Sequence, residues 1–282
     1  MEKIQAAIER ARAERADLRD TAGRAPVAPE SGMPEAVAPE ARPPARDAAW
    51  AALQPFTADP ARMAANRIVS FQGGREAATF DVMRTKVLQQ MRANNWRRLA
   101  ITSPTQGCGK STITLNLGFS LARQSDLRTI VAELDLRRPS LARMLGITGR
   151  SSMAQVLEGR ADFADVALRH GGNLALATNQ GQVRNPAELF HSVGVPPALA
   201  AIEALYRPDV VLFDMPPMLV SDDAMAFVGQ VDAVLLIAGA EATTIKEIDA
   251  CERELATQTN VMGVVLNKCR FMGPDYGYSY YG

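Results

Sequence analysis

From Arg98 onward, short and nearly continuous apolar runs alternate with stretches of helical period. The runs over 98–102, 129–135, 173–178, 209–217, 233–240 and 261–267 read as strands. Strands covered on both faces need apolar side chains on both, which removes the usual in-out alternation. Helices are expected between them, over 110–123, 152–158, 186–192, 197–206, 222–229 and 243–257. A further helix over 76–94 places Phe80, Met83, Val87 and Met91 on one face. Strand, helix, strand in this rhythm predicts an α/β fold with a doubly wound, mostly parallel sheet, whose ligands bind at the carboxyl ends of the strands.

The pattern upstream is different. Ile4, Ala7, Ile8 and Ala11 form a thin apolar stripe among charges, as in a short helix. Residues 23–47 are rich in Pro and Ala and carry no period, the composition of an extended linker. The chain therefore divides into a charged helix over 1–22, a mostly disordered Pro/Ala-rich linker over 23–75, a nucleotide-binding domain over 76–270 and a flexible tyrosine-rich tail over 271–282.

Composition narrows the function. Lys and Arg number 31 against 31 Asp and Glu, so there is no basic excess to support nucleic-acid binding. Cys108, Cys251 and Cys269 are too far apart for a zinc site or a disulfide framework, which fits a reducing cytoplasm. No signal-peptide pattern and no long apolar run is visible, so any membrane role is expected to need a partner.

The chemistry concentrates at strand ends. The first strand runs into SPTQGCGKST, residues 103–112, which closes as a Walker A phosphate loop. Glycines let successive N–H groups curl around phosphate oxygens, and the helix that follows adds its positive end. Lys110 is then placed to bridge the β- and γ-phosphates, and the Ser111 hydroxyl to bind Mg²⁺. Pro104 stands at the loop's first glycine position and has no N–H. The cradle is therefore expected to start later, over Gln106, Gly107, Cys108, Gly109, Lys110, Ser111 and Thr112. Cys108 reads as a small filler within it.

Glu133 and Asp135 alternate along the second strand and are expected to point to one face, at the nucleotide. VVLFD ends in Asp214, a Walker B acid suited to holding a Mg²⁺-bound water. Asn267-Lys268 could suggest a guanine reader, but Arg270 stands where an acceptor is needed, which disfavours GTP. Asn267 could read adenine or cap the strand end. His170 and His191 have no partner pattern.

Taken together, SPTQGCGKST, ELDLRRPSL, NPAELF at 185–190, DMPPMLVSDDA at 214–224, GVVLN and the terminal PDYGYSYYG resemble the bacterial tyrosine kinases (BY-kinases). These are P-loop NTPases with a deviant Walker A loop, cytoplasmic autokinases of capsule and exopolysaccharide synthesis. The resemblance spans residues 78–282. Partition ATPases of the Min/Par type share the fold but carry a signature lysine where this chain has Thr105.

The resemblance implies ATP and Mg²⁺ bound across Lys110, Ser111, Glu133, Asp135 and Asp214, with Asp135 orienting or deprotonating a tyrosine. It implies phosphorylation of Tyr276, Tyr278, Tyr280 and Tyr281, a homo-oligomer in which the tail reaches a neighbour, and a membrane copolymerase or export protein as partner. Phenols on a chain end are suited to that role, and each phosphate would add about −1.5 to −2 charge. Two departures stand out. Glu133 replaces the family's Asp, and of the E-x-x-R-x-x-R used in ring assembly only Arg84 remains, with Ala78 and Asp81 in the other places. They leave a second reading open, a nucleotide-dependent scaffold of the export machinery with little or no kinase activity.

Overall fold

The computed structural model describes residues 44–149 and 152–270; the stripe over 1–22, most of the Pro/Ala-rich segment and the terminal tyrosines lie outside the described residues. In chain order the strands are β1 (Gln54–Pro55), β2 (Arg98–Thr102), β3 (Thr129–Glu133), β4 (Ala167–His170), β5 (Leu174–Ala177), β6 (Val210–Asp214), β7 (Ala233–Gly239) and β8 (Asn260–Asn267). They form one sheet in the order β1-β4-β5-β3-β6-β2-β7-β8. Every neighbouring pair is parallel except β4 with β5.

Period-two alternation sorts the strands' side chains into two layers. On one face Leu99, Ile101, Val131, Leu212 and Leu235 pack with helices α3 (Ala78–Asn94), α4 (Lys110–Ala122) and α5 (Leu141–Leu145). On the other, Ala100, Ile130, Ala132, Phe213 and Val234 meet α6 (Met153–Leu157), α8 (Pro186–Phe190), α9 (Val195–Tyr206), α10 (Asp223–Val228) and α11 (Ile245–Leu255). The sheet is buried from both sides, and each large aliphatic side chain removed from water contributes about 1.5–3 kcal/mol.

β2 lies mid-sheet between β6 and β7, so the loop that leaves it opens at the centre of the carboxyl edge. Register sets Ile101 beside Asp214, and Asp214 beside Glu133. Three acid-bearing or glycine-bearing strand ends thus converge by topology before any side chain is considered.

The linker expected over 23–75 is corrected by the structure, because residues 44–75 are built into the fold. Helix α1 (Pro44–Ala52) buries Trp50, whose Nε1 donates to the Tyr206 carbonyl at 2.8 Å. The Arg128 guanidinium lies over the Trp50 ring at 5.3 Å and pairs with Asp47, while Arg46 pairs with Asp209 at 2.9 Å. β1 then adds an edge to β4, and α2 (Pro60–Ala65), capped by Asp59, buries Met63.

Helix α5 has no counterpart in the expected pattern, and neither do two further elements. One is the short helix α7 (Phe163–Val166), and the other is β4, which runs antiparallel to β5. His170 on β4 sits in a cluster with Phe56, Phe71 and Phe119. The expected strands over 129–135 and 209–217 end earlier, at Glu133 and Asp214.

On α3 the surviving Arg84 faces α4. Its Nη1 donates to the Ser120 carbonyl at 2.9 Å and lies 3.4 Å from Asp81, which also accepts from Ser120 Oγ and Arg123. The arginine that the resemblance would assign to a ring contact is committed within its own chain.

Candidate active site

Loop 103–109 connects β2 to α4. The segment after Asp214 pins the loop's start, with Met218 N donating to the Ser103 carbonyl at 2.9 Å and Leu219 N to the Pro104 carbonyl at 3.0 Å. Pro104 therefore serves through its carbonyl, and its missing N–H leaves nothing unsatisfied. Gly109 has φ +94°, and a Cβ there would stand 2.3 Å from Nδ2 of Asn267. Both the left-handed backbone and the close approach demand glycine.

The first residues of α4 meet the acids of the neighbouring strands. Ser111 Oγ donates to Asp214 Oδ2 at 2.7 Å, and Thr114 Oγ1 lies 3.4 Å from Asp214 Oδ1. Lys110 Nζ donates to Asp135 Oδ2 at 2.6 Å and lies 3.9 Å from Asp214 Oδ1. Asp214 is fully buried, and that burial raises its carboxyl pKa even though Lys110 and Ser111 pull the other way. Burial would lower the Lys110 pKa, but Asp214 and Asp135 together hold it above the ordinary value. Lys110 thus stays a cation in a dry place, where it acts most strongly on phosphate. Ser111 and Asp214 present adjacent hard oxygens of the kind Mg²⁺ takes, leaving further positions for phosphates and water.

Glu133 is arranged differently from the expected metal ligand. Its Oε1 accepts from the backbone N–H groups of Ser140 and Leu141, and its Oε2 accepts from Asn179 N at 2.8 Å. Because β3 stops at Glu133, the two acids do not share a strand face. The chain turns there, and Leu134 N and Asp135 N both donate to the Asp214 carbonyl. The longer glutamate side chain reaches three backbone donors and staples β3 to the start of α5. Burial drives its pKa up to about 7, the backbone donors oppose this, and Asp214 adds to it.

Asn267 likewise spends its amide donor inside the fold, giving Nδ2 to the Cys108 carbonyl at 2.8 Å, so adenine reading through that donor would cost this tether. Cys108 is buried with Sγ against Thr105 and Thr243. Gly107 is exposed, Gln106 is exposed with its amide engaged by Arg138, and Thr112 gives its carbonyl to Asn116.

Three contributors were given no individual role by pattern reading. Asn179 donates from both its backbone and side-chain nitrogens to Glu133 while its Oδ1 accepts from Ala154 N at the start of α6. Asp223, buried at the head of α10, receives the Arg137 guanidinium in a fork, anchoring the turn after β3. Arg138 reaches Gln106 across the loop. Asn179 lies outside every quoted motif, and Asp223, though within DMPPMLVSDDA, stands far along the chain from the Arg137 it holds, so no local spacing announces either role.

A glycine loop leading into Lys110-Ser111, with Asp214 closing the adjacent parallel strand, defines a P-loop nucleotide-binding protein. Residues 99–272 match the CobQ/CobB/MinD/ParA nucleotide-binding domain family. The tyrosine-protein kinase CpsD of Streptococcus agalactiae is 26% identical over 207 residues, covering 72% of this chain and 88% of that protein. The tyrosine-protein kinase YwqD of Bacillus subtilis is 27% identical over 188 residues, 66% of this chain and 78% of that one. The kinase domain of the Escherichia coli tyrosine kinase ETK superposes with a TM-score of 0.62 at 27% identity, covering 73% of this chain and 82% of that domain. The chain belongs to the CobQ/CobB/MinD/ParA nucleotide-binding family and, within it, to the bacterial tyrosine kinases.

Proposed function

We propose that this tyrosine kinase uses ATP and Mg²⁺ to phosphorylate its own terminal cluster, Tyr276, Tyr278, Tyr280 and Tyr281. The observation that supports this most is the double pairing at the head of α4, Lys110 with Asp135 at 2.6 Å and Ser111 with Asp214 at 2.7 Å. In this reading the triphosphate enters the loop and takes Lys110 for its β- and γ-oxygens. Ser111 and Asp214 would hold Mg²⁺, which would supply neutralising charge at the phosphates.

Asp135 is then released from Lys110 and accepts or orients the phenol proton. A phenol with a free pKa of about 10 is a weak nucleophile unaided. Positioning and charge stabilisation carry most of the acceleration, as in phosphoryl transfer generally. Glu133 supports the site by holding the turn that carries Asp135, and is not assigned to the metal.

The setting we infer is control of exopolysaccharide or capsule polymerisation and export, beside a membrane copolymerase and neighbouring copies of the chain. It rests on the family resemblance and the names of the relatives. Incubation with γ-labelled ATP and Mg²⁺, followed by peptide mapping, tests the reading. Label should appear in 271–282 and vanish when all four tail tyrosines become Phe. Absence of label in the wild type, even with a candidate partner's cytoplasmic segment added, would favour the scaffold alternative.

A further inference from the structure

We propose that Arg138 is a second cation of the phosphoryl-transfer site, moving from Gln106 to the γ-phosphoryl group when the triphosphate binds. The inference rests on the reading that ATP occupies the loop, and it adds a residue to that machinery.

The two arginines after the β3 turn are treated very differently. Arg137 is locked in a fork on the buried carboxylate of Asp223. Arg138 is exposed, and among the described residues it forms no ion pair. Its backbone N–H donates to Asp135 Oδ1 at 3.1 Å, which fixes its root beside the carboxylate that holds Lys110. Its guanidinium then crosses to the phosphate loop, where Nη1 donates to the Oε1 of Gln106. The charged tip therefore rests over the mouth of the loop, on a neutral amide.

Charge makes this position consequential. The ammonium of Lys110 faces two carboxylates, Asp135 and Asp214. The loop itself offers Thr105, Gln106 and Cys108 around its glycines, and none of these is a cation. A triphosphate brings several more negative charges, and the transferring group spreads its charge over three equatorial oxygens. Arg138 can meet that charge by exchanging one neutral acceptor for phosphate oxygens. Charge-assisted bonds of this kind are about twice as strong as neutral ones, and the planar fork suits phosphate. Its anchored backbone limits the movement to a side-chain swing.

The tyrosine oxygen forms a bond to the γ-phosphorus, and the bond from that phosphorus to the β–γ bridging oxygen breaks. The bridging oxygen keeps the electron pair and leaves with ADP, and the phenol proton passes to Asp135. Arg138 donates N–H groups to the equatorial oxygens and exchanges neither proton nor electrons.

The test uses the full-length chain and the variants Arg138→Ala, Arg138→Lys and Lys110→Met. It measures tail phosphorylation kinetics, calorimetric affinity for ADP, and affinity for ADP with Mg²⁺ and aluminium fluoride, which mimics the transferring group. Arg138→Ala should lower kcat by about 10²–10³-fold, the cost of one transition-state donor. Aluminium fluoride complex affinity should fall with it, while ADP affinity and Tm stay unchanged. Arg138→Lys should recover part of both losses.

If Arg138→Ala keeps turnover and aluminium fluoride affinity while Lys110→Met loses both, the assignment of Arg138 fails and the ATP reading stands. If Lys110→Met also keeps both, the ATP reading itself fails. If Arg138→Ala loses ADP affinity or Tm in step with turnover, Arg138 merely braces the loop and the proposal is overturned.

Discussion

Lys110 Nζ and Asp135 Oδ2 are joined at 2.6 Å, where the phosphate loop meets the turn that follows β3. The loop's one lysine is thus held by the same carboxylate that, in the mechanism proposed above, receives the tyrosine proton. In that mechanism nucleotide parts them, which turns the Lys110 charge toward the phosphates and frees the base.

Asp135→Asn should therefore separate binding from chemistry. Without the counter-charge Lys110 is available to phosphate, so ATP affinity, measured calorimetrically, should hold or improve. Tail phosphorylation should fall by about 10²–10⁴-fold, the usual worth of a positioned acid or base. A parallel loss of binding and turnover would instead mark Asp135 as a phosphate-site scaffold.

Glu133 makes stability depend on pH. Its folded pKa of about 7 lies above the ordinary 4.5, so the folded chain holds this proton more tightly than the unfolded one. Its contribution is fully present below about pH 4.5 and is lost as pH rises through about 7, amounting to about 3 kcal/mol. Glu133→Gln should flatten that part of the profile in denaturant titrations. It should also lower stability by about 1–3 kcal/mol, because an NH₂ group would face backbone donors. Glu133→Asp, one methylene short of the amides of Ser140, Leu141 and Asn179, should destabilise in the same range.

The boundary of the folded body can be tested by truncation. A chain beginning at residue 44 should unfold cooperatively at the Tm of the full chain. One beginning at 76 loses Trp50, Leu53, Met63 and Ile68 from the core and should be soluble poorly or not at all. Trp50→Ala in the full chain should cost about 3–5 kcal/mol by chemical denaturation.

How much of this was legible in the sequence depends on the range of the forces involved. Apolar runs such as VVLF and AVLLIAG announce central parallel strands because burial on both faces is written into consecutive residues. The phosphate loop is equally local, since glycine, lysine and serine act through adjacent backbone. Residues 44–75 were misread because their Ala and Pro content has no period, and what holds them is distant: Trp50 on Tyr206, Asp47 on Arg128 and Arg46 on Asp209.

The shared strand face expected for Glu133 and Asp135 failed for a different reason. Period-two reasoning assumed a strand through Asp135, but the strand ends at Glu133 where two successive amides turn to one carbonyl of Asp214. The glutamate's partners, Ser140, Leu141 and Asn179, could be known only after the chain had folded around it.

The central claim is that ATP sits in the loop headed by Lys110, within reach of the phenol-bearing terminus. Calorimetric titration of ATP·Mg²⁺ into the wild type and Lys110→Met, with tail phosphorylation followed in the same samples, tests it most directly. The account expects Lys110→Met to lose at least about tenfold in affinity and essentially all phosphate transfer to the tail. Unchanged affinity and undiminished labelling in that variant would contradict it.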